Sequence, residues 1–447
     1  MVHVQAGRSL MVRLPKAELH GVLDDPALES IEFLNEIMTR YPDAISFAPG
    51  APHPRFVKDL DVSDCIDVYT RHVSVLRGTT QAHEHRRLLE YGPSRGLIND
   101  LIADALSKDH GLDLSPDSVV VTVGAQEAML LTLRVLCRPG RDLLAVADPC
   151  FTGVTGAARL LDIGIVPIAE TEHGLDHDAL AAACRAARQR GRTVRAVYAA
   201  PDHSNPSGSV MTLRARHQLL SVAEREKLLV IEDNAYGFTA APGHELPLLK
   251  ALDTDGRVIL VGTFAKVCTP GARVGFAVAD QVVADADGSH RVLAGHLAAA
   301  KNAVTVNTSP ISQAIIGGML LRNNGSIKQL GQEKSAHYRE RLAVLLAALD
   351  RSLPSGTRPE GVRWNRPRGG FFVRLRLPVP VDVALLEQCA QQFGVLWTPM
   401  SYFHLGDGGG NELRLSCSYL SSQEIREGAR RLAAFVHHAT ASTGEQP

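Results

Sequence analysis

This chain of 447 residues has no excess of charge of either sign: 47 lysines and arginines face 48 aspartates and glutamates. The balance excludes the broad basic field of a nucleic-acid binder and the acidic bias of a solvating tail. Its seven cysteines (Cys65, Cys137, Cys150, Cys184, Cys268, Cys389 and Cys417) are odd in number and scattered, without a C-x-x-C pair. They form neither a zinc framework nor a disulfide scaffold, and they read as the thiols of a reduced, cytoplasmic protein. No run of about twenty apolar residues occurs, so no membrane span is expected. The N-terminal stretch carries Arg8, Arg13, Lys16 and Glu18 and lacks a long apolar core, which argues against a secretory leader. Repeats and low-complexity tracts are missing too. His83-Glu84-His85 comes nearest to a metal motif, but on a helix imidazoles at i and i+2 face different directions, and no metal site is expected.

Lysine is also scarce, at nine residues, and one of them has unusual neighbours: Lys266 lies within Gly262-Thr263-Phe264-Ala265-Lys266-Val267-Cys268-Thr269-Pro270-Gly271-Ala272-Arg273-Val274-Gly275. A hydroxyl three residues before a lysine and an arginine seven after it can together hold a phosphate ester while the amine attacks an aldehyde. Pyridoxal 5'-phosphate carries both groups. A protonated lysine is a weak nucleophile, so a covalent role needs neighbours that depress its charge. Here Arg273 would counter the cofactor's dianion and leave the amine free to form an imine. Taken alone, the segment also reads as a strand followed by an ordinary Pro-Gly turn.

The length exceeds the usual size of a single core, so two or more lobes are expected. From about Ser118, short β-branched runs alternate with longer helical patterns, the signature of parallel strands joined by crossover helices. Strands are expected over residues 118–123, 143–147, 194–199, 228–232, 258–261 and 274–278. After the first of these, Gly124 opens a helix whose apolar positions Met129, Leu130, Leu133 and Leu136 recur at helical intervals. Past roughly residue 320 the texture changes to a charged amphipathic helix (333–349), then Gly369-Gly370-Phe371-Phe372-Val373-Arg374-Leu375, a second helix, and the strand-like Glu412-Leu413-Arg414-Leu415-Ser416. This reads as a smaller α+β domain. Gly408-Gly409-Gly410 and the tail from Thr440 to Pro447 read as mobile.

Open parallel sheets collect ligands at the carboxyl ends of their strands, and the remaining motifs lie there. Gly124-Ala125-Gln126 presents unpaired backbone N–H groups at a positive helix end, a seat for phosphate, although a structural turn explains it equally well. In Asp148-Pro149-Cys150-Phe151, the ring of Phe151 can lie on a flat pyridine ring, whereas an isolated phenylalanine usually packs in a core. Asn205, in Ser204-Asn205-Pro206-Ser207-Gly208, can donate its amide to the cofactor's phenolate oxygen, but the same residues make an ordinary turn. Ile231-Glu232-Asp233-Asn234-Ala235-Tyr236 is more specific, because a carboxylate ending an apolar strand is costly unless it meets a cation. Asp233 would keep the pyridine nitrogen protonated, and Tyr236 would address the phenolate beside Asn205. A turn-capping aspartate is the plain alternative. Arg414 has a planar fork suited to a carboxylate, though surface salt bridging is the commoner fate of an arginine.

In this order the six motifs resemble those of fold-type I pyridoxal-phosphate enzymes, above all the class I/II aminotransferases of the 2-aminoadipate, kynurenine and aromatic branch. The resemblance runs from about Ile45 to about Ala434. It implies an α/β fold with a large cofactor-binding domain (60–320) built on a mostly parallel seven-stranded sheet flanked by helices. A smaller α+β domain (321–447) and an N-terminal arm (1–59) complete it. The resemblance further implies pyridoxal 5'-phosphate as cofactor, a Schiff base at Lys266, and transfer of an amino group between an α-amino acid and a 2-oxo acid. By the same resemblance Lys266, Asp233 and Tyr236 are catalytic. Gly124, Ala125, Gln126, Phe151, Asn205, Thr263 and Arg273 join them in holding the cofactor, and Gly50, Asn205 and Arg414 bind substrate. Tyr91, in Tyr91-Gly92-Pro93-Ser94-Arg95-Gly96, is the residue that reaches the phosphate of a neighbouring subunit, which implies a homodimer with shared active sites.

The sequence departs from the family pattern at Ser204 for glutamine, Ala265 for serine, Thr305 for an acid, and Ala51-Pro52-His53-Pro54-Arg55 for Leu-Pro-Asp-Pro. The departures leave a second outcome open on the same fold: elimination or replacement at the β or γ carbon, decarboxylation, or carbon–carbon bond formation in specialised metabolism. A transcriptional regulator with an aminotransferase-like domain would require a basic winged-helix module ahead of the core, for which only about forty-five residues precede Ile45.

Overall fold

The β-branched runs have no polar face to give to water, and a strand of that kind is stable only when covered on both sides. In the computed structural model, which describes residues 14–24, 36–37 and 39–441, they form one sheet. Its strands are β1 (Val119–Thr122), β2 (Asp142–Asp148), β3 (Gly164–Thr171), β4 (Gly174–Leu175), β5 (Thr193–Ala199), β6 (Leu229–Asn234), β7 (Val258–Thr263) and β8 (Gly275–Val278). The spatial order is β1-β8-β7-β6-β5-β2-β3-β4. Only β8 and the two-residue β4 run against their neighbours. Seven strands make the mostly parallel sheet expected, and β4 extends its edge to eight. No expected strand corresponds to β3, in which only Ile168 is buried and Pro167 interrupts the pattern, so its apolar periodicity is weak.

Alternation along the strands separates two cores. Helices α1 (Val62–Arg77), α2 (Gly124–Leu136), α3 (Leu293–Val304) and α4 (Pro310–Arg322) flank the sheet. Val119, Val121, Leu260 and Val278 pack with Tyr69 of α1 and Leu320 of α4. Val120, Val146, Ile231 and Val261 pack on the opposite face with Leu131 of α2 and Leu297 of α3.

A second lobe is built on a four-stranded antiparallel sheet of β9 (Arg363–Trp364), β10 (Phe372–Arg376), β11 (Thr398–Pro399) and β12 (Glu412–Ser416), in the order β9-β10-β12-β11. The long helix α5 (Ile327–Ser352) bridges the lobes: Gly331 near its start lies against Phe238 and Val267. Leu342, Leu345 and Leu349 further along share a core with Phe47, Leu413 and Leu432 of α6 (Ser422–Ala441). A two-residue parallel pair, Ile45–Ser46 with Val395–Leu396, ties the N-terminal segment into this lobe.

Gly408–Gly410, expected as mobile, is held: the Gly410 carbonyl accepts from the Val381 N–H at 2.7 Å and that of Gly409 from Glu412 at 3.1 Å. Residues 442–447 of the tail, and Arg8 and Arg13 of the N-terminal stretch, lie outside the described residues. Glu84, between the two histidines of the Gln81–Arg87 helix, is buried and accepts from Arg77 and Thr79. Among the described residues no group of three or more His, Cys, Asp or Glu is placed to hold a metal ion, and no helix is long and apolar enough to cross a membrane.

Candidate active site

Four parallel strands, β2, β5, β6 and β7, end on one side of the sheet, and the chain leaving each end contributes to a single cavity of about 440 Å³, within the roughly 300–1,000 Å³ of small-molecule sites. Phe151 follows β2, Asn205 follows β5, Asp233 lies at the end of β6 with Tyr236 just beyond it, and Thr263 ends β7 with Lys266 just beyond it. Ala125 and Gln126 enter from the start of α2, Arg273 from the turn before β8, and Gly50 and Arg414 from the second lobe. Gly124 is what allows Arg273 to lie against the helix start: a Cβ there would stand 2.5 Å from Nη2, and its φ of +73° is one that glycine adopts freely. Tyr91 is not among these residues. It is 88% exposed, on the surface of the first lobe.

The cavity brings three cationic side chains, Lys266, Arg273 and Arg414, together with one acid, Asp233. Lys266 donates from Nζ to the Gly50 carbonyl at 2.8 Å. Burial above all, then the charges of Arg273 and Arg414, push its pKa down to about 8 against the opposing pull of Asp233. A lysine in that range keeps a useful fraction of neutral, nucleophilic amine near neutral pH. Arg414 is buried between the rings of Phe372, 4.4 Å from its guanidinium carbon, and Phe403, at 4.7 Å. Its fork donates to neutral oxygens only: Asn205 Oδ1 at 2.7 Å, the Ala48 carbonyl at 2.9 Å and Thr398 Oγ1 at 3.4 Å, with Nε unpartnered. Burial lowers its pKa to about 10, so it remains a cation at neutral pH.

Among the described residues Asp233 accepts at Oδ2 from the hydroxyl of Tyr198 at 2.6 Å, while Oδ1 has no partner in hydrogen-bond geometry. Burial raises the Asp233 pKa, opposed by Tyr198, by Lys266 and by the Ala235 amide. The assembly suits a ligand with a phosphate, an aldehyde and a basic ring nitrogen, and a second ligand with a carboxylate.

Residues 63–432 match the family described as aminotransferase class I and II. The chain belongs to that family. This aminotransferase is 45% identical over 427 residues to (S)-3,5-dihydroxyphenylglycine transaminase of Amycolatopsis orientalis, covering 96% of the chain and 95% of the relative. It is 30% identical over 400 residues to 2-aminoadipate transaminase of Thermus thermophilus, covering 88% and 90%. Its fold matches the crystal structure of an archaeal alanine:glyoxylate aminotransferase with a TM-score of 0.80 at 26% identity, over 95% of this chain and 99% of that one. It also matches α-aminoadipate aminotransferase from Thermus thermophilus, complexed with N-(5'-phosphopyridoxyl)-L-leucine, with a TM-score of 0.76 at 28% identity over 96% and 100%. Of the outcomes the sequence left open, amino-group transfer is the one these relatives share.

The aminotransferase cavity also contains residues that the sequence did not single out. Phe372 and Phe403 clamp Arg414, Met129 adds an apolar wall, and Tyr198 meets Asp233. A tyrosine inside a strand is an ordinary β-former, and its only distinguishing signal is cross-strand register, which one sequence does not display.

Proposed function

We propose that this aminotransferase uses pyridoxal 5'-phosphate, anchored at Lys266, to exchange an amino group between an α-amino acid and a 2-oxo acid. The observation that carries the reading is that Lys266 shares one cavity with two guanidiniums, Arg273 and Arg414, and neither meets a carboxylate among the described residues. For Arg414, which is buried, a missing counter-charge is costly, whereas Arg273 is exposed and free to take an anion at the mouth of the cavity. A phosphate ester at Arg273 and a substrate carboxylate at Arg414 would supply both charges, and the solved relative holding a phosphopyridoxyl amino acid supports this assignment.

Bound here, the cofactor supplies an aldehyde and a ring that draws electrons from the substrate's α-carbon. The chain's own residues have the other roles. Backbone N–H groups of Gly124, Ala125 and Gln126, with Thr263 and Arg273, take the phosphate. Phe151 offers a face to the ring, Asn205 and Tyr236 address its oxygen, and Asp233 Oδ1 holds a proton at its nitrogen. Arg414 fixes the carboxylate beside Gly50, and Lys266 carries a proton to and from the α-carbon. The aromatic and thioether walls (Phe372, Phe403, Met129), together with the name of the Amycolatopsis relative, favour an aromatic α-amino acid as donor.

The proposal includes a cytoplasmic homodimer with shared sites. Leu89, Tyr91, Val304, Val306 and Ile311 are all exposed, and a Cβ added at Gly92 would stand 3.6 Å from both Asn307 and Pro310, which brings the Tyr91 loop beside the α3–α4 turn. An apolar patch of this kind marks an association surface, and Tyr91 would complete the phosphate site of the partner. The seven buried, unpaired cysteines agree with a reducing compartment.

The test is borohydride reduction of the purified protein followed by peptide mapping, with amino acids titrated against the visible absorbance in parallel. The expected results are a reduced cofactor adduct on Lys266, lost in Lys266→Ala, and a change of spectrum with aromatic amino acids. An adduct undiminished in Lys266→Ala would falsify the assignment.

A further inference from the structure

We infer that Tyr198 is a positioning residue for amino transfer: by donating its hydroxyl hydrogen to Asp233 Oδ2, it aims the other carboxylate oxygen at the cofactor's ring nitrogen and sets where the proton between them resides. The inference rests on the cofactor reading above.

The geometry follows from the sheet. Tyr198 on β5 is level with Ile231 on the adjacent β6, and Asp233 lies two residues further along β6, on the same face as Ile231. The phenol therefore extends toward the strand end and reaches the carboxylate at 2.6 Å, in the range of a strong O–H···O⁻ hydrogen bond. Tyr198 is only 3% exposed and Asp233 7%, so water does not compete for either group. Both residues also line the active-site cavity.

A carboxylate has two equivalent oxygens, and without a fixed partner it can turn either toward the ring. Here one oxygen is held and the other, Oδ1, is buried without a hydrogen-bond partner. The choice of a neutral donor has a consequence of its own. An arginine or lysine in place of Tyr198 would pair the Asp233 charge and compete with the ring nitrogen for it, whereas a phenol steadies the charge and leaves it available. Tyr198 keeps its proton throughout the working range, because burial, and next the charge of Asp233, push its pKa well above 10. The other titratable groups around the pair are Cys150 after β2, Tyr236 in the loop after β6 and Lys266 after β7, with Arg414 acting on Tyr236 and Lys266 from the second lobe.

Tyr198→Phe keeps the ring and removes the hydroxyl alone. The experiment uses loaded enzyme and three readouts: the pH titration of the bound cofactor's visible absorbance, the separate values of kcat and KM for the amino acid, and the thermal midpoint. Without the hydroxyl, Asp233 becomes more basic, the shared proton moves toward it, and the ring withdraws less charge from the group on Lys266. The expected result is a titration midpoint raised by roughly half a unit or more. A fall in kcat of about tenfold, the loss of one charge-assisted hydrogen bond, should accompany it with KM within about twofold. An unmoved titration midpoint overturns the inference, including the case where activity falls only in step with thermal stability. Asp233→Asn separates the two readings. If it too leaves the absorbance titration unmoved, the assignment of Asp233 to the cofactor fails. A shift in Asp233→Asn with none in Tyr198→Phe removes only the role given to Tyr198.

Discussion

Arg414 is a buried cation held between two aromatic rings, with its fork already aligned by Asn205 and Ala48. Alignment of that kind belongs to a planar guanidinium and not to an ammonium. Arg414→Lys retains the charge but loses the two-pronged contact, and each charge-assisted hydrogen bond is worth about 1.5–3 kcal/mol. The expected outcome is a fall in kcat/KM for the amino acid of about ten- to hundredfold, with cofactor content by absorbance unchanged.

Lys266 gives the residue scale its pH dependence. With its pKa lowered to about 8, the amine is mostly protonated and inert below that pH and mostly free above it. The rate at which cofactor-stripped protein recaptures pyridoxal 5'-phosphate, followed by absorbance, should therefore rise with pH up to about 8 and level off beyond. Arg273 is one of the cations holding that value down. In Arg273→Met the charged amine is less disfavoured, so the midpoint of the profile should move upward, toward that of an ordinary lysine.

At the scale of elements, the site is a property of strand ends. Motifs contiguous in sequence, such as Thr263 to Arg273 or Asp233 to Tyr236, were legible because an apolar run announces the strand and the polar residues after it mark the end. What was not legible is lateral. The Tyr198–Asp233 pair depends on the register between β5 and β6, and β3 goes unannounced because Pro167 and its exposed positions erase the alternation. The clamp on Arg414 joins β10, the loop after β11 and β12, which antiparallel pairing brings together.

The contact between α2 and α3 shows the same lateral logic. Lys301, wholly buried, donates to Glu127 Oε2 and to Thr305 Oγ1, each at 2.7 Å, and Thr305 donates to Glu127 Oε1 at 2.6 Å. Glu127 also accepts from the Val123 N–H at the start of α2, next to the proposed phosphate seat. An acid at position 305 would put two carboxylates on one ammonium; threonine closes the ring with a hydroxyl instead. Lys301→Met strands the Glu127 charge and should destabilise the fold by about 3–5 kcal/mol in denaturant titration. Adding Glu127→Gln should restore much of the loss.

For the whole molecule, the balance of the surface makes its apolar patch conspicuous. Leu89→Glu combined with Val304→Glu places charge in the proposed dimer surface, and sedimentation should then report the 48.1 kDa single chain with weakened cofactor retention. Tyr91→Phe should leave the sedimentation unchanged and still weaken retention, because it removes only the hydroxyl offered to the partner's site. A native protein that sediments as a single chain would sink the shared-site proposal.

The hydrogen bond from Lys266 to Gly50 joins a lysine at the end of the large sheet to a segment whose next anchors, Phe47 and the Ile45–Ser46 strand, belong to the other lobe. Once the amine is committed to a cofactor it has less to give to that carbonyl. That bond straps the segment to the sheet end, and a cofactor on Lys266, as proposed, would loosen the strap. Backbone hydrogen exchange in the Gly50–Ala51 stretch should accordingly quicken on loading, which makes this short segment a gauge of how many sites are filled.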